Sequence, residues 1–377
     1  MMPETLDTPA EALDMTPRAD AMPPDMTPRA DAMPPDTLDM TPRADAMPPD
    51  TLDTPPETRQ TPAPGENPPV AREQAPQRLL LISPVRNEEA YLGLVAQAVA
   101  KQTRPPDLWI VVNDGSTDRT EEILGELSER IDFLHVLDTS KLPKIGAVPD
   151  RLATAAEARA FNLGLDSVDW EGFTHIAKLD GDTELPANYF ERVLGEFERD
   201  PTLGLAGGVY ADPDPDPHGT GWKVVGIPSE HHVPGTLKCY SRSCLQAVGG
   251  MQERLGWDTI DETYARLRGY RTRAYPELIA HHHRPWGSAD GTLRGRARHG
   301  ECAYIVHFTL PWVTLRAFKL ALSRPRGLSG IAFLYGYLRS AVRRVPRVED
   351  RDFRRFVHRE LRERMFAALR WRKRLAR

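Results

Sequence analysis

Cysteine is scarce in this chain of 377 residues: Cys239, Cys244 and Cys302 are the only three, and none forms a Cys-x-x-Cys pair. That count and spacing suggest neither a disulfide framework nor a cysteine-held zinc site; a Cys239–Cys244 pair is the alternative to the reduced thiols and cytoplasmic address that they predict. No run of about 18 apolar residues occurs, so no membrane-spanning helix is expected. The first residues have neither the basic start nor the apolar stretch of a secretory signal. Residues 1–77 lack Phe, Trp, Tyr, Ile, Cys and Lys altogether, yet they hold 18 of the 35 prolines. Three copies of MTPRADAMPPD begin at Met15, Met26 and Met40. With three prolines per unit and no apolar face, such repeats have nothing to stack as a solenoid. The segment is expected to be disordered and locally polyproline-like, because it cannot bury enough apolar surface to offset the entropy of ordering.

Acidic residues become rare towards the C-terminus. The net charge is −5, but from Arg284 onward 23 Lys and Arg stand against 7 Asp and Glu, about +16. The first 283 residues therefore carry about −21. A basic final third on an acidic protein implies an anionic partner, whether lipid headgroups, a lipid-linked phosphate or nucleic acid. No nucleic-acid-binding motif accompanies the charge, so no nucleic-acid partner is expected.

What is present between residues 78 and 283 is a regular alternation. Buried-strand runs at Arg78–Ser83, Leu108–Val112, Asp132–Leu137 and His175–Leu179 are separated by helical patterns at 88–101, 118–127 and 153–166. Leu92, Val95, Ala96 and Val99 make the first helix amphipathic, and Asp118 with Glu121 reads as a capping box for the second. A helix is expected over Pro186–Arg199, then strands at Leu203–Tyr210, Gly221–Ile227, Leu237–Ser241 and Arg271–Tyr275, with helices at Ser243–Val248 and Asp258–Arg268. Alternating strand and helix predicts an α/β fold with a doubly wound, mostly parallel sheet. Between the strands at 203–210 and 221–227, alternating Asp-Pro at 212–217 reads as a solvated, lid-like loop rather than a metal site, because proline rigidity scatters the carboxylates.

Three polar segments close strands of that sheet: Pro84-Val-Arg-Asn-Glu88, Asn113-Asp-Gly-Ser116 and Asp180-Gly-Asp182. Open α/β sheets bind ligands at the carboxyl ends of their strands. Two carboxylates one residue apart at such an end can hold a hard cation such as Mg²⁺ or Mn²⁺, whose remaining ligands are phosphate oxygens and water. Asp-Gly is also an ordinary turn signal, and each segment on its own has a structural explanation.

In this order and at these separations, the three segments resemble the family 2 glycosyltransferases over about residues 78–283. The resemblance implies the GT-A fold and transfer of a sugar from a nucleotide-diphosphate donor to a hydroxyl, with Mg²⁺ or Mn²⁺. It implies that Pro84, Val85 and Glu88 wall the base and ribose, and that Asp114 accepts a hydrogen bond from the base. Arg159 and Asn162 would contact the donor from one helical face, Asp180 and Gly181 would lie along the ribose, and Asp182 would bind the metal. Three histidines at 281–283 cannot all face one site from an extended backbone, and His283 is the expected further metal ligand. The family carries its base in a Glu-Asp pair eleven residues before a Gly-aromatic dipeptide. Gly269-Tyr270 sets that register here, which makes Asp258 the expected catalytic base and Asp261 the substitute, although Trp257 stands where the family has Glu. The acceptor would be a saccharide or a lipid-linked glycan. A non-catalytic sugar-nucleotide or polyanion-binding module is the alternative, with Trp257 marking a lost base. A nucleotidyltransferase is disfavoured, because Pro84-Val-Arg-Asn replaces a glycine-rich, lysine-bearing phosphate loop.

Residues 284–377 read as a basic helical extension rich in Phe, Tyr, Leu and Arg. Phe353, Phe356, Val357, Leu361 and Met365 fall on one face of a helix over 350–374. Two readings stay open for the extension: an amphipathic surface at the inner face of a membrane, or a helical subdomain packed on the sheet domain.

Overall fold

The computed structural model describes residues 76–141, 155–214, 220–225, 231–284, 291–322 and 325–375. The proline-rich repeats and residues 215–217 of the 212–217 loop lie outside the described residues.

The expected alternation is present. β1 (Leu79–Val85), α1 (Leu92–Ala100), β2 (Leu108–Asn113), α2 (Thr120–Ser128), β3 (Leu134–Asp138), α3 (Ala156–Asp166) and β4 (His175–Leu179) come first. β5 (Thr183–Glu184), α4 (Tyr189–Arg199), β6 (Leu203–Pro213), β7 (Trp222–Val224), β8 (Leu237–Ser241), α5 (Arg242–Val248), α6 (Trp257–Leu267) and β9 (Arg271–His282) follow. One sheet runs β3-β2-β1-β4-β8-β6-β9-β5, with β7 paired to β6. β1 to β4 pair in parallel, β8 is antiparallel to both β4 and β6, and β9 is parallel to β6. Because β8 alone reverses among the long strands, β1, β2, β3, β4, β6 and β9 all end at one edge. The three polar segments Pro84–Glu88, Asn113–Ser116 and Asp180–Asp182 lie at that edge.

The period-two alternation of a strand places β1 between two cores. Leu79 and Leu81 pack with Val95, Val99, Phe190 and Val193 on one face. Leu80 and Ile82 pack with Phe161, Leu165, Tyr240 and Trp257 on the other. Helix α1 buries Leu92, Val95, Ala96 and Val99, as its spacing predicts.

Two strands run further than expected. β6 reaches Pro213 and β9 reaches His282, although Pro276 argues locally for a strand end at Tyr275. A register shift between the pairs Gly207–Ala274 and Val209–Ile279 absorbs Pro276 and its neighbours. Gly208 permits it, because a Cβ there would meet the Leu278 carbonyl oxygen at 2.1 Å. The added length carries Asp212 and the histidines to the common edge.

The extension is α7 (Thr292–Ile305), α8 (Leu310–Ala321), α9 (Leu328–Val342) and α10 (Arg351–Leu375). Phe353, Val357 and Leu361 of α10 share a buried cluster with Cys244 and Val248 of α5 and Ile260 and Tyr264 of α6. The stripe expected to suit a membrane surface is thus spent on packing against the sheet domain. Among the described residues, no helix is long and apolar enough to cross a membrane.

Candidate active site

The loops after β1 and β2 are stitched into one surface. Val85 pairs with Asn113, and Asp114 N donates to Val85 O at 2.9 Å. Asn87, with φ 56°, turns left-handed so that its Oδ1 accepts from Thr117 N at 2.8 Å. Glu88 N donates to Thr120 Oγ1 at 2.8 Å and Glu89 N to Asp118 Oδ2 at 3.2 Å. Asp118 therefore does not close the expected capping box with Glu121: it serves the neighbouring loop and Thr120 instead. Asp114 accepts from Thr139 Oγ1 at 3.2 Å.

The Asp180-Gly-Asp182 turn packs directly on this surface. A Cβ on Gly181 would lie 2.8 Å from Val85 Cγ1 and 2.9 Å from Glu88 Cγ, so only glycine fits. Glu88 is 7% exposed and pairs with Arg284 at 3.0 and 2.7 Å. Burial and the Asp182 charge push the Glu88 carboxyl up to about 7 against the pull of Arg284. Arg284 also approaches Asp182 Oδ2 at 3.7 Å.

The histidines divide between partners: the His283 backbone N donates to Asp182 O at 2.9 Å, while the ring that approaches the Asp182 carboxylate is that of His282. His283 Nε2 meets Glu184 at 2.9 Å, and its ring stacks on Tyr91 at 5.4 Å. His281 stacks on Trp222 at 4.1 Å. His282 stands with Nε2 3.6 Å from Asp182 Oδ1 and Nδ1 2.8 Å from Asp212 Oδ1. Strand length sets this arrangement: β9 continues through His282, so alternation turns that ring towards Asp182 and Asp212 and leaves His283 beyond the strand end. Among the described residues, no three His, Cys, Asp or Glu converge as a ready-made metal centre.

Beneath Asp180 lie two buried lysines that the sequence reading did not single out. Lys178 and Lys238 are cross-strand partners, each 1% exposed. Like charges directly opposite are unfavourable unless each is neutralised. Lys178 is paired with Asp180 and with Glu157 of α3, and it donates to Gly235 O at 2.8 Å. Burial alone would lower its pKa, but the two carboxylates more than offset that and hold it above the ordinary lysine range. Lys238 donates to both Asp261 oxygens at 2.9 Å and lies 3.5 Å from Glu262. The Trp257 ring lies 5.3 Å from each ammonium. That geometry explains why an aromatic residue stands at 257, since its face screens two cations from each other.

Asp261, expected as the substitute base, is 2% exposed and fully engaged by Lys238 and the Tyr240 hydroxyl. Burial and the adjacent Glu262 push its pKa upward. Glu262 accepts from Val233 N at 2.7 Å and pairs with His232 at 3.1 Å, and its charged neighbours override burial to hold it at about 2. Asp258 is different. It is half-buried in the first turn of α6, and its carboxylate has no hydrogen bond or ion pair among the described residues. A Cβ on Gly235 would lie 3.5 Å from Asp258 Cβ, and Gly235 is the residue that Lys178 ties to Asp180. Asp258 and Asp180 both act on Tyr210, which burial and these charges raise to about 12.

Residues 81–223 match the model of the family described as Glycosyl transferase family 2. That stretch, under half of the chain, is what is similar to Glycosyl transferase family 2. A probable glycosyltransferase of Bacillus subtilis (strain 168), YdaM, is 26% identical over 229 residues, 55% of this chain and 51% of that protein. The chain thus spans about half the length of this curated relative. The uncharacterized protein Rv1525 of Mycobacterium tuberculosis (strain ATCC 25618 / H37Rv) is 25% identical over 221 residues, 49% of this chain and 82% of its own. Among solved structures, the mannosyltransferase PcManGT from Pyrobaculum calidifontis in complex with GDP-Man and Mn²⁺ aligns with a TM-score of 0.44 and 18% identity, covering 72% of this chain and 76% of that one. S. aureus TarS 1–349 in complex with UDP-GlcNAc aligns with a TM-score of 0.45 and 15% identity over 70% and 72% of the two chains.

The edge gathers Pro84, Val85, Glu88, Asp114, Asp180, Gly181 and Asp182 from three adjacent strands. Arg159 is half-buried on α3, two residues along from Glu157 and so not on the same face as it. Asn162 is not brought to the edge: its amide donates to Met251 O at 2.8 Å and its Oδ1 accepts from Met251 N at 3.2 Å. Lys178 and Lys238 had one legible signal, a lone lysine inside an otherwise apolar strand, but nothing in one sequence shows that the two strands are neighbours.

Proposed function

We propose that the protein transfers a glycosyl group from a nucleoside diphosphate sugar to an acceptor hydroxyl. The observation that carries this reading is the division of labour among its carboxylates. Asp180, Asp261 and Glu262 are neutralised by buried lysines, whereas the Asp258 carboxylate, beside the Gly235 that Lys178 ties to Asp180, has no hydrogen bond or ion pair among the described residues. An unpaired carboxylate at a helix start, beside the turn that would hold the donor, is suited to accept the proton of an attacking hydroxyl. Attack from the face opposite the leaving diphosphate would invert the anomeric carbon.

The donor surface follows from the stitched loops. The nucleobase lies by Val85 and Asp114, with Gly181 allowing the ribose to approach the backbone. Arg284 supplies positive charge next to Glu88 and Asp182, where a diphosphate would gather negative charge. The residues present fit a divalent cation. Asp182 and His282 form an oxygen-nitrogen pair, and such ions take few protein ligands when phosphate completes the shell. The cation would stabilise charge on the departing diphosphate. Asp180, held by Lys178, positions the turn. The acceptor is a saccharide or a lipid-linked glycan.

Thermal unfolding with UDP, GDP, dTDP and CDP, each with and without Mn²⁺, tests the reading on the parent and Asp182→Ala. Stabilisation by one nucleotide that requires both Mn²⁺ and Asp182 is the expected result. No stabilisation by any nucleotide would refute the donor site.

A further inference from the structure

Helices α8 and α9 carry apolar residues on two faces. On α9 the inward face holds Phe333 and Tyr337 together with the small residues Ser329, Gly330, Gly336 and Ser340. Gly336 approaches α7 so closely that a Cβ would meet Ala297 O at 1.9 Å, and Gly330 approaches Ala317 O of α8 at 2.3 Å. Further large apolar residues face out: Leu328, Ile331, Tyr335, Leu338 and Val342 are 47–83% exposed at three- and four-residue spacing. Leu315, Phe318 and Leu322 continue the surface on α8, at 53%, 69% and 67% exposure. A water-soluble helix keeps its large apolar residues in one stripe against the core. Small residues between helices and large apolar residues outward is the packing of helices whose surroundings are hydrocarbon.

The charge on this surface has one sign. Residues 302–348 contain no Asp or Glu, while eight Lys and Arg lie among them. Lys319, Arg326, Arg339 and Arg343 are exposed beside the apolar stripe. A second copy of the same face would bring these cations together with no acidic counterpart, whereas an anionic bilayer surface complements both the apolar stripe and its rim.

We propose that the α8–α9 hairpin seats in the headgroup region of an anionic lipid bilayer, lying in its plane with Phe318, Ile331, Leu338 and Val342 towards the acyl chains and Lys319, Arg339 and Arg343 at the phosphates. The hairpin, rather than the amphipathic α10, is the membrane element, because α10 has buried its own stripe on α5 and α6. The seat does not depend on glycosyl transfer, since its test reads binding alone.

Flotation with phosphatidylcholine vesicles, with and without phosphatidylglycerol, tests this on the full chain. The parent floats with the phosphatidylglycerol vesicles and is released by high salt. Lys319→Gln, Arg339→Gln and Arg343→Gln each lower the partition about fivefold. Ile331→Asp lowers it by roughly tenfold or more. These side chains are exposed, so unchanged unfolding temperatures separate lost binding from lost fold. A parent that stays with the unbound protein, or a partition unmoved by the charge variants, overturns the proposal. So does a parent dimer that Ile331→Asp dissolves in sedimentation while neither protein binds vesicles, because the face then belongs to a second copy.

Discussion

Asparagine at 258 and at 261 should give opposite phenotypes, although the two carboxylates are neighbours on one helix. Asp261 is buried, receives two hydrogen bonds from Lys238 at 2.9 Å and receives the Tyr240 hydroxyl. Removing its charge leaves the Lys238 ammonium with Glu262 at 3.5 Å and the Asp258 carbonyl oxygen at 2.7 Å. Breaking a buried ion pair from one side costs about 3–5 kcal/mol. A large domain loses about 2 °C of melting temperature per kcal/mol, so Asp261→Asn should unfold roughly 6–10 °C lower. Asp258 is half-buried and its carboxylate is unpaired, so Asp258→Asn should stay within about 0.5 kcal/mol of the parent. It should nevertheless lose roughly 10²–10⁴-fold in turnover, the usual contribution of a positioned base. Calorimetry on both variants, with nucleotide release from the donor measured in parallel, separates the roles. An Asp258→Asn protein that keeps full turnover would refute the assignment of the base. An Asp261→Asn protein that melts with the parent would refute the account of the lysine network.

Three further outcomes follow from the site. Gly181→Ala places a methyl within 2.8 Å of Val85 and 2.9 Å of Glu88, so it should cost about 1–3 kcal/mol and weaken nucleotide binding; unchanged unfolding and binding would refute the close packing. Lys238→Met should destabilise more than Asp261→Asn, because two buried carboxylates lose their common cation, and denaturant unfolding reads the difference. The Glu88 carboxyl is raised from 4.5 to about 7, so the folded protein holds a proton there that the unfolded chain has released. Its contribution to stability is full below about 4.5 and is lost as pH rises through about 7, up to about 3 kcal/mol, and Glu88→Gln should flatten that slope in unfolding measured from pH 4 to 8.

The sequence by itself determined the α/β alternation, because the apolar runs and the spacing of Leu92, Val95, Ala96 and Val99 are local consequences of chain period. It also determined that three polar segments end parallel strands, since strand, loop and crossover helix are written contiguously. Tertiary structure decided which side chains of those segments remain available. Asp258 and Asp261 look alike in a string, but one carboxylate is half-buried with no partner among the described residues and the other meets Lys238, whose strand is brought there by an antiparallel pairing that the sequence does not state. His282 brings its ring to the Asp182 carboxylate because β9 passes Pro276 through a bulge, and the glycine that allows it belongs to β6. The stripes of α9 and α10 are equally periodic in the sequence. Only packing shows that α10 has buried its stripe against α6, whereas α9 buries Phe333 and Tyr337 among small residues and leaves Leu328, Ile331, Leu338 and Val342 exposed, because close helix approach is a property of pairs of elements.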